Sequence, residues 1–196
     1  MIIQELLITY GADHKTYKTN EIIFTEGELP SYYFQLVTGK IKINNYNDQG
    51  KEFIQEIVYE NEGPLITALF NERLYPANAL AFEECRLLRL PKLQFFDLLK
   101  DRPELYEKML SSVSESMYYK YMMMQAMSFQ KPEIRLKTLM NYLKGFEEKS
   151  PYSYQIPFTR QQLASLTGLS VETVIRVTKN MEKNEILKIK NRKIFF

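Results

Sequence analysis

The chain has 196 residues, 45% of them hydrophobic and 26% charged, with seven glycines and eight prolines. That is enough apolar material for one generous domain or two small ones, and it excludes general disorder. The net charge of +2 excludes neither an acidic nor a basic partner.

The charge is unevenly spread. Residues 131–196 carry thirteen Lys/Arg against six Asp/Glu, and residues 1–130 carry thirteen against eighteen. A basic last third suggests that only this part meets a polyanion, although solvated faces also produce such asymmetry by chance. Cys85 is the single cysteine, so no internal disulfide forms and a reducing, cytoplasmic setting is expected. Residues 1–10 carry Glu5 and lack a basic leader, unlike a signal peptide. No run approaches ~18 apolar residues, so no membrane span is expected.

From residue 17 to 92 the chain shows short apolar or alternating stretches at 22–24, 32–37, 40–44, 53–58, 77–82 and 86–90. Between them lie turn signals such as Thr38-Gly39, Asn47-Asp48-Gln49-Gly50, Glu62-Gly63-Pro64 and Tyr75-Pro76. Lys40-Ile41-Lys42-Ile43 alternates as a half-buried strand should. Regularly spaced short strands imply a β sandwich or roll. Residues 63–70 are less regular and fit a helical turn.

Near residue 92 the pattern becomes helical. Leu93, Phe96, Leu98 and Leu99 make a short stripe, and Asp101 reads as the cap of a second helix with Pro103 in its first turn. Residues 104–129 contain neither Gly nor Pro. Leu105, Met109, Ser112, Ser116, Met123 and Met127 recur there at helical spacing. A seam of that length exceeds what a small β domain can bury, which favours a paired helix in a dimer over a core helix with methionines as gap-fillers. Lys131-Pro132 marks a boundary. Ile134, Leu136, Leu139, Met140 and Leu143 follow on one helix that ends near Gly145, then a loop at 150–154 and a short strand at 155–158.

Thr159 and Gln162 have the spacing of a capping box. The helix it starts, 160–167, turns Leu163 and Leu166 inward, and Ala164 is small where two helices cross. Gly168 permits a sharp turn, Leu169 plugs it, and Ser170 caps a second helix over 171–183. On that helix Val174, Val177 and Met181 share one side, and Glu172, Arg176, Lys179 and Lys183 the other. This is a helix-turn-helix pattern, its outer strip suited to a DNA major groove. Arg176 can bond guanine O6 and N7, and Glu172 can accept from cytosine N4. The same two residues also fit an ordinary i,i+4 ion pair. Residues 186–190, Asn191-Arg192 and 193–196 form a hairpin pattern. Its Lys190, Arg192 and Lys193 fit phosphate contacts and equally fit a lysine-protected sheet edge.

In this order the elements resemble the Crp/Fnr (cAMP receptor protein/fumarate-nitrate regulator) family from about Tyr17 to Phe196. The resemblance is carried by Ile23-Phe24-Thr25-Glu26-Gly27-Glu28, by Tyr32-Tyr33-Phe34-Gln35-Leu36-Val37-Thr38-Gly39-Lys40-Ile41 and by Asp48-Gln49-Gly50-Lys51-Glu52. It is carried most specifically by Thr159-Arg160-Gln161-Gln162-Leu163-Ala164 with Gly168-Leu169-Ser170-Val171-Glu172-Thr173-Val174-Ile175-Arg176. It implies an α+β chain: a β-roll sensor similar to a cyclic-nucleotide-binding jelly roll (1–100), a dimerisation helix (101–130) and a winged helix-turn-helix (131–196). It further implies a homodimer on near-palindromic double-stranded DNA, with RNA polymerase as a further partner. By matching positions, Glu172 and Arg176 read bases, and Val171 and Ile175 lie at variable specificity positions. Thr159, Arg160, Ser170 and Thr173 match positions that touch phosphate, and Lys179 is added from its place on the helix. Val171-Glu172-Thr173 is closer to the fumarate-nitrate branch, and Ile175 departs from the serine expected there.

The sensor end departs further. Where the cyclic-nucleotide branch has a Gly-Glu pair for the ribose and an Arg-Ser pair for the phosphate, this chain has Pro64-Leu65-Ile66-Thr67-Ala68-Leu69-Phe70 and Tyr75-Pro76-Ala77-Asn78. A buried phosphate without its charged partner is costly, so tight cAMP binding is not expected. A lone Cys85 does not fit an iron-sulfur cluster. His14, the one histidine, is expected at the surface rather than on a haem. No cofactor is expected and the effector is open. One His, one Cys and no P-loop leave little for an enzyme. The competing possibility is a ligand sensor whose C-terminal helices engage a protein.

Overall fold

A computed structural model describes residues 2–129, 131–145 and 150–196. They fall into two compact units, Met1–Asn47 with Ile54–Met117, and Asp48–Phe53 with Tyr118–Phe196. The division falls within a single long helix, α4 (Leu105–Ser128), inside the stretch 101–130 expected as a dimerisation helix.

The first unit is built on two sheets. One has the order β1-β7-β3, from Asp13–Tyr17, Cys85–Pro91 and Tyr32–Thr38. The other has the order β2-β6-β4-β5, from Ile22–Phe24, Asn78–Ala81, Ile41–Tyr46 and Glu52–Val58. Strand alternation sorts the side chains. Phe34, Leu36, Cys85 and Leu87 meet Phe24, Ile41, Ile43, Val58, Ala79 and Ala81 in one core cluster. Tyr33, Val37, Leu88 and Leu90 belong to a second cluster, as a period of two requires. That second cluster takes in Leu7 from α1 (Gln4–Thr9), Phe95, Leu98 and Leu99 from α3 (Lys92–Asp101), and Leu105 and Met109 from α4. The β3–β7 sheet is therefore covered on both faces. Tyr33 stacks on Phe95 at 4.3 Å between ring centroids. The buried Gln35 is satisfied by the Tyr33 hydroxyl, which donates to it at 2.8 Å, and by donating to the Ile2 carbonyl at 2.8 Å.

The structure corrects four local expectations. Strand β4 is not half-buried, since Lys42 is only 8% exposed and Asn44 is buried. It is an inner strand of its sheet, and the Lys42 stem is covered while its ammonium reaches Asn20 at 3.5 Å. The buried stripe of α3 is Phe95, Leu98 and Leu99, and Leu93 points outward at 77% exposure. Asp101 closes α3 instead of capping the next helix, and its carboxylate accepts from the Tyr10 hydroxyl at 2.7 Å. Along α4, the expected seam is divided. Leu105, Met109 and Met123 are buried by the chain itself, Ser116 and Met127 are half-buried, and Ser112 is exposed. The exposed apolar edge is instead Tyr106, Leu110, Met117, Tyr121 and Met124. Two edges of one helix can carry the same spacing of three and four, and the spacing does not tell them apart. The short helix α2 (Thr67–Phe70) supplies the turn expected over 63–70.

In the second unit, α5 (Pro132–Lys144) buries Leu136, Leu139 and Met140 and ends at Gly145, with φ 75°. No helix among the described residues is long and apolar enough to cross a membrane.

The β3–β4 turn offers a test. Gly39 has φ +89°, and a Cβ there would overlap the Glu84 carbonyl oxygen and lie 2.8 Å from the Cys85 Cβ. Gly39→Ala is expected to lower the stability of this unit by about 2–3 kcal/mol, read as a lower urea midpoint with unchanged slope.

Candidate nucleic-acid interface

Local chemistry sets the start of α6 (Arg160–Thr167). The Thr159 hydroxyl accepts from the Gln162 backbone N–H at 3.2 Å, and the Gln162 side chain accepts from the Thr159 N–H at 2.8 Å. Both halves of the capping box are formed. Gly168 stops the helix at φ 67°, where its lack of a Cβ removes the left-handed penalty. The Leu169 N–H then donates to Ala164 at 3.1 Å, and Leu169 is buried. Ser170 caps α7 (Val171–Lys183) by accepting from the Thr173 N–H at 3.2 Å.

The two faces of α7 separate as its periodicity requires. Val174, Val177, Thr178 and Met181 are buried, and Glu172, Ile175, Arg176, Lys179 and Lys183 are exposed. Among the described residues Glu172 and Arg176 form no ion pair with each other. The Glu172 carboxyl lies below the usual carboxylate range, its own backbone N–H and then the Ser170 hydroxyl at the helix start favouring the charged form. Arg176 is left to solvent.

The hairpin expected after α7 is present. Strands β8 (Lys188–Lys190) and β9 (Lys193–Phe195) pair antiparallel with Lys190 opposite Lys193. Asn191 and Arg192 bridge them at φ 49° and 64°, the two positive values of a type I′ turn. The strand expected over 155–158 reduces to one bridge, Gln155 to Phe195. Three contacts that no local pattern announces anchor this wing. The Glu182 carboxylate accepts from the Ile189 N–H at 2.7 Å. The Tyr152 hydroxyl donates to the Glu185 carbonyl, and the Lys188 ammonium lies 4.4 Å from the centre of the Tyr152 ring.

A concavity of about 620 Å³ opens between the 155–160 segment, α7 and the wing. Its walls bring together Thr159, Arg160, Ile175, Lys179, Arg192 and Lys193. Val171, Glu172, Ser170, Thr173, Arg176 and Lys190 are not among its walls. Of these, Val171 and Thr173 are half-buried and the others exposed. Arg160 differs from the expectation of a free phosphate contact. It is half-buried, which lowers its pKa, and its guanidinium donates to the Arg192 carbonyl at the wing tip.

The elements thus run as a two-sheet roll followed by a capped helix-turn-helix with a wing. The model of the cyclic nucleotide-binding domain matches residues 14–102 and that of the Crp-like helix-turn-helix domain residues 135–196. The chain belongs to the Crp/Fnr family of DNA-binding transcription regulators. It is 24% identical to the transcriptional activator protein FnrA of Stutzerimonas stutzeri, covering 90% of this chain and 73% of that protein. It is 28% identical to the fumarate and nitrate reduction regulatory protein of Vibrio cholerae, covering 90% and 71%. The fold is shared with the c-di-GMP responsive global regulator CLP of Xanthomonas campestris, with a TM-score of 0.80 at 20% identity over 98% of this chain and 96% of that one.

Removing the Arg160 strut should loosen the wing selectively. In Arg160→Ala, wing amides should exchange with deuterium several-fold faster, as expected for loss of about 1 kcal/mol of local hydrogen bonding, with exchange in α7 unchanged.

Proposed function

We propose that this regulator is a cytoplasmic homodimer that reads a near-palindromic DNA site with α7 and does not require cAMP. The carrying observation is the outward face of α7, where Glu172, Arg176 and Lys179 are exposed beside a cationic wing. A helix presented this way fits a major groove, and the flanking cations fit phosphates. Two copies would use each base contact twice. The exposed apolar edge of α4 supports pairing: Leu110, Met117 and Met124 are 67%, 50% and 62% exposed and recur at helical spacing. RNA polymerase is the further partner in this reading.

The absence of a cAMP requirement is supported by the roll. Tyr75 takes the stretch where the cyclic-nucleotide branch resembled by this chain has its Arg-Ser pair. It is buried and stacks on Phe24 at 3.8 Å, with the rings 11° from parallel. Burial pushes its hydroxyl well above the usual tyrosine value, so it stays neutral. The Asn78 amide is committed within the roll, donating to the Asn44 carbonyl at 3.2 Å and accepting from the Glu26 N–H at 2.9 Å. An anionic phosphate there would lie against the Tyr75 and Phe24 rings, where an unpaired charge is costly.

Two experiments test this reading. Selection from random duplexes at moderate salt should enrich near-palindromes with half-site centres about one helical turn apart. Arg176→Ala should then cost about 1–3 kcal/mol at the preferred base and flatten the preference. Lys190→Ala should weaken all sequences alike and reduce the salt slope by about one. Failure to enrich any sequence rejects the DNA-reading proposal. Calorimetric titration should give no saturable heat with cAMP at micromolar concentrations. Such a heat would reject the cAMP-independent part alone, and a parallel titration with cyclic di-GMP checks a second nucleotide.

A further inference from the structure

We propose that Ile175 reads the C5-methyl group of a thymine in the bound site. The proposal rests on α7 being the DNA-reading helix and adds the chemistry of one contact. Among the described residues of 150–196, burial has covered or half-covered the other large hydrophobic side chains. Ile175 is left at 41% exposure. It stands on α7 between Glu172, three residues before it, and Lys179, four after it, and it lines the wing-side concavity with Arg160, Lys179 and Arg192.

An apolar side chain ringed by cations has a definite use on DNA. The exposed Lys179 and Arg192 hold phosphates and set the depth and register of the helix, without carrying sequence information, while Arg160 braces the wing. At that depth a side chain meets base edges. A branched hydrocarbon cannot exchange hydrogen bonds with them, so the distinction available to it is methyl or no methyl. Thymine alone presents a methyl group in the major groove. Ile175 is well suited to this discrimination because its β-branch is nearly fixed at χ1 on a helix. The turn beneath it is also tied down, with the buried Thr178 hydroxyl bonded to the Val174 carbonyl at 2.8 Å and to the Ile175 carbonyl at 3.1 Å. The contact therefore requires little ordering on binding.

The test uses the full-length protein and the duplex that selection yields. Each thymine is replaced in turn by uracil, which removes one methyl group and leaves every hydrogen-bonding group in place. Fluorescence anisotropy then reads affinity. The wild-type protein should lose about fourfold at one thymine position of each half-site, the value of one buried methyl. The factors should multiply to more than about tenfold when both half-sites are changed. Ile175→Ala should bind the thymine duplex more weakly and no longer distinguish thymine from uracil. Because Ile175 is exposed, this variant should melt with the wild type, which separates lost reading from lost folding. Uracil tolerated at every position overturns the assignment. So does uracil sensitivity that survives in Ile175→Ala, or that disappears in Val171→Ala instead. Selection that yields no preferred sequence rejects the DNA-reading proposal itself, a different result from a preferred site that ignores methyl groups.

Discussion

The close crossing of α6 and α7 governs what the second unit can present. Leu163, Leu166, Leu169, Val174, Val177 and Met181 are all buried. Each such side chain contributes roughly 1.5–3 kcal/mol when fully removed from water. That burial is possible only because Ala164 leaves room at the crossing and Gly168 accepts a left-handed backbone. With the inner face of α7 committed, its outer face has no choice of direction. The wing is then fixed to the end of the same helix through Glu182 and to the start of α6 through Arg160. Helix, turn and wing are thus tied into one presenting surface.

The first unit follows a different logic. Its roll is packed as a core, with Phe24, Phe34 and Tyr75 filling space between strands and three alanines, Ala77, Ala79 and Ala81, allowing close approach. The outer side of the β3–β7 sheet is sealed by α1, α3 and the first turns of α4. Such packing resists small changes in volume, since interiors are close to crystalline density.

The helix-turn-helix was legible because its determinants are local. Thr159 and Gln162 are three residues apart, Gly168 sits at the turn, and Val174, Val177 and Met181 repeat within one helix. The inner strands were legible for the same reason, through turn residues and apolar runs. Strand β1 was not. Asp13-His14-Lys15-Thr16-Tyr17 is a mostly exposed polar edge, and its pairing with β7 comes from residues 68 to 76 positions away. Lys42 misled because alternation records polarity, whereas burial depends on which strands lie on either side. The free edge of α4 misled because spacing is blind to which edge the chain's own core has taken. The struts from Arg160 and Glu182 join residues 32 and seven positions apart through backbone acceptors and donors, and backbone groups leave no mark in a residue pattern.

The division of labour within α7 bears on how such a protein can change over generations. The residues that hold the helix in place face one way, and Ile175, Arg176 and Lys179 face the other, exposed to solvent. Substitutions at those three positions need not disturb the packing beneath. A duplicated copy could acquire new target sites by drift at a few exposed positions and still fold. Glu172 is more constrained, because its carboxylate also serves the helix start beside Ser170. Target preference should therefore diverge among descendants sooner at 175 than at 172.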